Sequence, residues 1–208
     1  MAVLEGLQPL KVFEFFEELS AVPRASHNRG PVSEYCLNFA RQRNLECWRD
    51  EACNVIIKKP ASPGYEDSAP VILQGHLDMV AEKTADCPLD FAKDGLCLQV
   101  DGDWISARGT TLGADNGIAV AMALAVLDDK SLCHPPLEVL FTTDEEVGML
   151  GASEAELSPL QGRRLLNLDS EDEGVSPPVV QAVCVPTAGS PWRRSRSRQP
   201  LFRSRSPA

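Results

Sequence analysis

The chain has 208 residues, of which 43% are hydrophobic, as is typical of a globular protein with one domain and a core. Its 30 acidic and 20 basic residues give a net charge of −10. No apolar run reaches the roughly eighteen residues of a membrane span, and the first residues do not resemble a signal peptide, so we expect a cytoplasmic protein without a membrane partner. The seven cysteines form no Cys-x-x-Cys pair, which predicts reduced, mostly buried thiols rather than a zinc finger.

Charge divides the chain near residue 174. Residues 1–173 hold all 30 acidic side chains and 14 of the 20 basic ones, whereas the remaining residues hold six arginines and no acidic residue. We therefore expect one domain over residues 1–174 and a disordered Arg/Ser/Pro-rich tail over residues 175–208. The RRSRSR and RSRSP runs leave nucleic-acid binding open as an alternative role, but a solvated tail is the favoured interpretation.

Apolar periodicity and turn signals divide residues 1–174 into short elements. Helices are predicted at residues 10–22, 31–42, 118–127 and 153–157. Strands are predicted at residues 47–49, 53–58, 71–74, 97–100, 103–107, 137–142 and 165–168, with a hairpin turn at Asp101-Gly102. Helices alternating with short, fully apolar strands predict an α/β fold with a largely parallel central sheet flanked by helices.

Polar side chains follow three of these strands and precede one helix: His76, Asp78, Glu145, Glu146, Asp169 and Asp115. The carboxyl ends of parallel strands meet at one sheet edge, so we expect these side chains to lie together. Viewed alone, His76 beside Asp78 is more often a structural pair, and Asp115 is equally well a helix cap. Together, the carboxylates would repel one another unless cations neutralised them.

The mixture of one imidazole with several carboxylates favours zinc or manganese over calcium or magnesium. Glu145 and Glu146 project in different directions if their backbone is extended. One of them can then bind a metal ion while the other acts as a general base. Two ions about 3.5–4 Å apart would share one carboxylate.

Four motifs, GHLDMV, TTLGADNG, TTDEEVGMLGA and NLDSEDEG, occur in this order between residues 75 and 174, within a stretch of resemblance that covers about residues 8–174. In their order and spacing they resemble the aminoacyl-histidine dipeptidase family (Xaa-His dipeptidase, cytosol non-specific dipeptidase) of co-catalytic zinc peptidases. The Asp-Asn-Gly sequence after Ala114 points to this dipeptidase branch. The resemblance implies a zinc-exopeptidase-like catalytic domain that hydrolyses dipeptides of the Xaa-His type or more broadly.

The resemblance also implies a role for each residue. His76 and Asp169 bind one zinc ion, Asp115 bridges two ions, and Glu146 binds the second. Asp78 orients His76, and Glu145 takes a proton from the attacking water and delivers it to the leaving amine. The resemblance further implies a cis peptide bond after Asp115, replacement of Zn²⁺ by Mn²⁺ or Co²⁺, and a possible homodimer.

Family members are more than twice as long, insert a lid domain and supply another zinc-binding histidine further along. No histidine follows His134 in this chain, so the second metal position retains only Asp115 and Glu146. We therefore expect a truncated catalytic domain without a lid, a weak or absent second zinc ion, and little peptidase activity. A non-catalytic chain that interacts with a full-length relative is the alternative.

Overall fold

Four helices and seven strands make up residues 2–169, the part of the chain that this computed structural model describes. The helices are α1 (Leu10–Ser20), α2 (Arg29–Gln42), α3 (Ala114–Asp128) and α4 (Leu150–Ser153). The strands are β1 (Glu46–Arg49), β2 (Val55–Lys59), β3 (Val71–His76), β4 (Leu98–Asp101), β5 (Trp104–Ala107), β6 (Leu137–Thr142) and β7 (Arg164–Asn167). The predicted tail lies outside the described residues.

The central sheet has five strands in the order β1-β2-β6-β3-β7. Strand β3 pairs in parallel with β6 and β7, whereas β2 pairs antiparallel with β1 and β6. The predicted α/β class with helices beside the sheet is confirmed, and the sheet is mixed, with its parallel part confined to β3, β6 and β7. An apolar run indicates that a strand is buried on both faces, but it does not fix the direction of the strand.

Successive side chains of a strand point to opposite faces of the sheet, so alternate residues of the central strands pack into two separate cores. Leu73, Val139 and Phe141 belong to the large core that also contains the inward faces of α1, α2 and α3. Their neighbours Ile72 and Leu140 belong to a smaller cluster with Ile56, against which Leu157, Leu160 and Leu165 pack. Helix α3 is buried on most sides because it packs against both α1 and β3.

Strands β4 and β5 form a separate antiparallel hairpin, as predicted. Asp101 pairs with Trp104, so Gly102 and Asp103 make the turn, one residue later than predicted. Gly102 has a φ of 57°, a conformation that glycine adopts without a steric penalty. None of the described helices is long and apolar enough to span a membrane.

All six cysteines in the described part of the chain are free thiols. Only Cys36 is buried, whereas Cys97 and Cys133 are exposed, so the prediction of mostly buried thiols is wrong. The reason is that five of the six lie on connecting segments or on the edge strand β1, outside the core.

The three parallel strands end at the same edge of the sheet. His76, the last residue of β3, pairs with Thr142, the last residue of β6. Strand β7 ends at Asn167, which pairs with Gln74 of β3. Consequently the segments that follow β3, β6 and β7 leave the sheet side by side, and these segments carry most of the predicted site residues.

Candidate metal centre

His76 is buried at the end of β3 with its two ring nitrogens in different surroundings. Nδ1 lies 3.1 Å from the backbone oxygen of Asp78 and 3.4 Å from its carboxylate. Because a carbonyl oxygen can only accept, this bond places a proton on Nδ1 and directs Nε2 toward Asp115, whose Oδ1 lies 3.1 Å away. The nearest partner that orients the imidazole is therefore the carbonyl of Asp78 rather than its carboxylate.

The Asp78 carboxylate holds the turn that follows β6. It accepts hydrogen bonds from the backbone N–H groups of Glu145 (3.0 Å) and Glu146 (3.3 Å) and from the hydroxyl of Ser26 (2.8 Å). Burial alone would raise the pKa of this carboxyl group, but the hydrogen bonds from His76, Glu145 and Ser26 outweigh it and lower the pKa to about 2. Asp78 is thus ionised at neutral pH and joins the end of β3 to the predicted base and ligand.

Asp115 and Asn116 interrupt the first turn of α3 with non-helical dihedral angles, and a cis peptide bond joins them, as the resemblance implies. The buried side chain of Asn116 links two strand ends. Its Oδ1 accepts the backbone N–H of His76 at 3.2 Å, and its Nδ2 donates to the carbonyl of Leu168 (3.2 Å) and to Asp169 (3.3 Å). The Asn116 amide therefore sets the spacing between β3 and the residues that follow β7.

Gly75, the residue before His76, makes room for this amide. A Cβ atom at Gly75 would lie 2.6 Å from Oδ1 of Asn116 and 3.3 Å from Cβ of Ala119. Real Cβ atoms do not approach other atoms as closely as the first distance, so a larger side chain at Gly75 would displace Asn116. The glycine of the GHLDMV motif is thus explained by packing against the TTLGADNG motif.

A buried arginine that the sequence did not single out supports the same region. Arg24 donates to the carbonyls of Leu77 and Asp78, both at 3.3 Å, and to the carbonyl of Gly113. Cβ atoms at Gly113 and Gly117 would lie 2.5 and 2.6 Å from Nη2 of Arg24. Burial lowers the pKa of Arg24 to about 10, against the attraction of nearby carboxylates, so it is still a cation at neutral pH.

Carboxylates surround the Nε2 atom of His76. Oxygen atoms of Asp115, Glu145 and Asp169 lie 3.1, 3.9 and 3.9 Å from it. His76, Asp115 and Glu146 each offer one donor atom, and these three atoms all lie within 4.8 Å of one another. Two ligands of one tetrahedral zinc ion lie roughly 3.3 Å apart, given bond lengths of about 2.0–2.1 Å, so small rotamer changes would bring Asp115 onto one cation with His76 or onto one with Glu146.

The ionisation of the cluster also fits a cation. Burial is the largest effect on the pKa of Glu145 and of Glu146, and it raises both values. Neighbouring carboxylates also raise them, although the charge of His76 opposes the rise. Burial disfavours the imidazolium form of His76, but the interactions with Asp78 and Asp169 outweigh it and raise its pKa to about 9. The cluster therefore tends to retain protons that a divalent cation would displace.

The profile of Peptidase family M20/M25/M40 matches residues 72–178. The chain belongs to this peptidase family. The cytosol non-specific dipeptidase of Escherichia coli (strain K12) is 45% identical over 174 residues, which cover 84% of this chain and 36% of that protein. The structure of the aminoacylhistidine dipeptidase of Vibrio alginolyticus matches with a TM-score of 0.79 and 44% identity, over 82% of this chain and 35% of the other.

A tripeptidase structure from Staphylococcus aureus shares the fold, with a TM-score of 0.65 at 21% identity, over 77% of this chain and 43% of that one. The chain spans about a third of the length of the two dipeptidases. The predicted resemblance to M20 dipeptidases is confirmed by these matches.

In this M20 peptidase chain, all six predicted site residues converge at the carboxyl edge of the sheet: His76, Asp78, Asp115, Glu145, Glu146 and Asp169. The different directions expected of Glu145 and Glu146 depended on an extended backbone, and this condition is not met. Glu145 and Glu146 do not continue an extended strand, because Asp144 has a φ of 50° and begins a turn. Asp78 holds the backbone amides of both residues in this turn.

Proposed function

We propose that this chain carries the metal-binding part of a cytosolic dipeptidase with two co-catalytic zinc positions, which Mn²⁺ or Co²⁺ can also fill. The observation that supports this proposal most strongly is the group formed by His76, Asp115 and Glu146, whose donor atoms lie within 4.8 Å of one another. Imidazole with carboxylates is a donor set that suits zinc. The 45% identity to a dipeptidase supports dipeptides as the substrate class.

Each residue has one role in the proposal. His76, Asp115 and Asp169 would hold a first metal ion, and Asp115 with Glu146 would hold a second. Asp78 positions the surrounding groups, because its carbonyl orients His76 and its carboxylate binds the amides of Glu145 and Glu146. A carboxylate that serves two positions matches the bridging geometry of two-metal hydrolases.

Zinc bound here would polarise the scissile carbonyl and make water acidic enough to attack it near neutral pH. Glu145 accepts the proton that the water loses and then donates it to the nitrogen of the leaving amine, so the carboxylate is regenerated in each cycle. Its carboxylate lies 3.9 Å from Nε2 of His76, beside the proposed first position. Burial raises the pKa of Glu145, which brings its proton affinity closer to that needed for transfer.

The two proposed positions differ in strength in this chain. The first has three protein donors, His76, Asp115 and Asp169, whereas the second has Asp115 and Glu146. We therefore propose that one zinc ion binds firmly and a second binds weakly. We also propose that the chain as given hydrolyses dipeptides much more slowly than the Escherichia coli relative.

Zinc content per chain tests this proposal on monodisperse protein after dialysis against micromolar Zn²⁺. We expect about one zinc ion per chain, lost in His76→Ala and retained in His134→Gln. His134 is the matched control because it lies at the opposite end of β6, where it contacts Ser62. A zinc content near zero in the unmodified chain would contradict metal binding, and a content near two would contradict the weak second position.

Activity provides an independent test. Any zinc-dependent hydrolysis of an Xaa-His dipeptide should disappear in Glu145→Gln while the zinc content is unchanged, because Glu145 moves protons and binds no metal in this proposal. A rate for the unmodified chain comparable to that of the Escherichia coli dipeptidase would show that the second position is filled after all.

A further inference from the structure

We propose that Asp144, held by Arg29 and His27, is a positioning residue that fixes the turn bearing Glu145 and Glu146 and thereby sets the metal affinity of the site. This inference rests on the proposed metal-binding function. It assigns a purpose to three side chains that the mechanism above does not use.

Asp144 is fully buried, and both of its carboxylate oxygens are occupied. The backbone N–H of His27 donates to Oδ1 at 2.6 Å, and Arg29 donates to Oδ2 through Nε at 2.6 Å and Nη2 at 2.5 Å. Nδ1 of His27 lies 3.3 Å from Oδ2. Since these partners use both oxygens and the side chain has no exposed surface, Asp144 acts on the site through its backbone rather than as a ligand.

The start of helix α2 explains why a carboxylate is stable there. The helix begins at Arg29, its capping residue Asn28 makes no side-chain hydrogen bond to the helix, and its first turn contains no acidic residue. Free N–H groups and the helix dipole favour an anion at such an end. Asp144 supplies an anion next to this end from a distant part of the chain, where it accepts the N–H of His27 just before the helix and pairs with the guanidinium of Arg29.

The backbone of Asp144 then determines how the turn begins. Its φ of 50° lies in the left-handed region, which costs a residue other than glycine about 1 kcal/mol or more. Such a conformation persists where the surrounding structure enforces it. Its carbonyl accepts the N–H of Leu150, while the next carbonyl, that of Glu145, accepts the N–H groups of Gly148 (3.0 Å) and Met149 (2.9 Å). The Arg29 and His27 contacts thus enforce the conformation from which the turn starts.

Two carboxylates on opposite sides therefore hold one turn. Asp78 binds the amides of Glu145 and Glu146 from the β3 side, and Asp144 anchors the preceding residue to α2. With both in place, the two glutamate side chains leave the backbone in fixed directions before any cation binds. Without the Asp144 side-chain contacts, the turn would keep Asp78 and its own backbone hydrogen bonds but lose its attachment to α2, and metal binding would have to complete its order.

Titration of the 208-residue chain with Co²⁺, followed by visible absorption, tests the inference. We expect Asp144→Asn to weaken Co²⁺ binding about tenfold to a hundredfold, as for other outer partners of metal ligands, and to alter the absorption bands of bound Co²⁺. Asparagine is suitable because it tolerates a positive φ as aspartate does, so the substitution removes the charge without changing the backbone preference. Arg29→Met should reproduce the weakening, and Arg29→Lys should restore most of the affinity.

The matched control is Asp128→Asn, which breaks an arginine–aspartate pair away from the site, with Arg43 at 2.7 Å. It should leave both the affinity and the absorption bands unchanged even if it lowers the melting temperature. Folded Asp144→Asn or Arg29→Met protein that binds Co²⁺ like the unmodified chain would overturn the positioning role alone. If the unmodified chain binds no Co²⁺, the proposed metal-binding function fails, and this inference fails with it.

Discussion

The candidate metal centre has a buried half and an exposed half. The side chains of His76 and Asp78 are 1% and 5% exposed, whereas those of Asp115 and Asp169 are 73% and 32% exposed. Asp78 accepts three hydrogen bonds from Ser26, Glu145 and Glu146, but the carboxylate of Asp115 faces His76 from the solvent side. Folding alone fixes the buried half, while a bound cation would complete the order of the exposed half.

This difference separates stability from metal affinity. A substitution in the buried half removes contacts that exist in the metal-free fold, so it should weaken both folding and binding. A substitution in the exposed half removes a donor that contributes little to folding, so it should weaken binding alone. In a preorganised site, folding of the protein already holds the ligands in position before the metal binds. Here only the buried half of the site is preorganised in this way.

Asp78→Asn should have the largest effect. The neutral amide would weaken hydrogen bonds to a buried charged acceptor, and we expect the free energy of unfolding to fall by about 3 kcal/mol. Urea denaturation of the metal-free protein measures this change. Asp86→Asn is the control, since Asp86 is fully exposed and its loss should change stability by less than about 0.5 kcal/mol.

The effect of Asp78→Asn on stability should also depend on pH. The pKa of Asp78 is lowered to about 2 in the fold, below the value of about 3.9 expected in the unfolded chain. Because the folded pKa is the lower one, its contribution is fully present above about pH 4 and is lost as the pH falls toward 2. The stability difference between the unmodified protein and Asp78→Asn should therefore shrink over this range, and a constant difference would mean that the charge of Asp78 is not responsible.

Asp115→Asn should affect binding without affecting the fold. We expect zinc affinity to fall at least about 100-fold, which is more than is typical when a residue that only hydrogen-bonds to a metal ligand is replaced. The stability of the metal-free protein should change by less than about 0.5 kcal/mol, because Asp115 is mostly exposed and its removal relieves repulsion among carboxylates. Asp103→Asn, an exposed aspartate in the β4–β5 turn, should change neither quantity. A loss above about 1 kcal/mol for Asp115→Asn would show that the exposed half is also ordered by folding.

The buried half was easier to predict from sequence than the exposed half. The apolar runs of β3 and β6 are bounded sharply, so the structure has β6 at the predicted residues and extends β3 to His76. Strand direction was not encoded in these runs, and the antiparallel pairing of β2 with β6 was missed. The short helix α4 begins three residues before the predicted start, because Met149 has a φ of 55° that residue type does not reveal.

Local sequence also gave little information about which charged groups are internal. The run Asp144-Glu145-Glu146 contains three similar carboxylates, yet only Asp144 is fully buried. Its partners lie on residues 27 and 29, more than a hundred positions earlier in the chain. Arg24 likewise belongs to an unremarkable loop in the sequence, and its burial depends on two glycines far along the chain. Such contacts arise from tertiary packing, which periodicity does not report.

Gly75→Ala tests the contact that connects the buried half of the site to the exposed half through Asn116. The added methyl group would displace Oδ1 of Asn116, which it would approach to 2.6 Å. We expect a loss of about 1–3 kcal/mol in the free energy of unfolding and weaker zinc binding, since Asn116 contacts both His76 and Asp169. Gly30→Ala in α2 is the control, because nothing lies within 4 Å of its Cβ position. It should be neutral or stabilise the fold by up to about 1 kcal/mol.

Ser26→Ala should have the smallest effect and defines where the buried half ends. The hydroxyl of Ser26 donates to Asp78 at 2.8 Å in a partly buried setting, so we expect its removal to lower the free energy of unfolding by about 1 kcal/mol. Ser131→Ala removes a similar bond, at 2.7 Å to Asp129, but on the exposed surface, and should change stability by less than about 0.5 kcal/mol. If urea denaturation gives the same small change for both variants, the carboxylate of Asp78 is held by His76 and by the amides of Glu145 and Glu146. The boundary of the buried half would then lie between Asp78 and Ser26, and the segment before α2 would act on the site through Arg24 and Asp144.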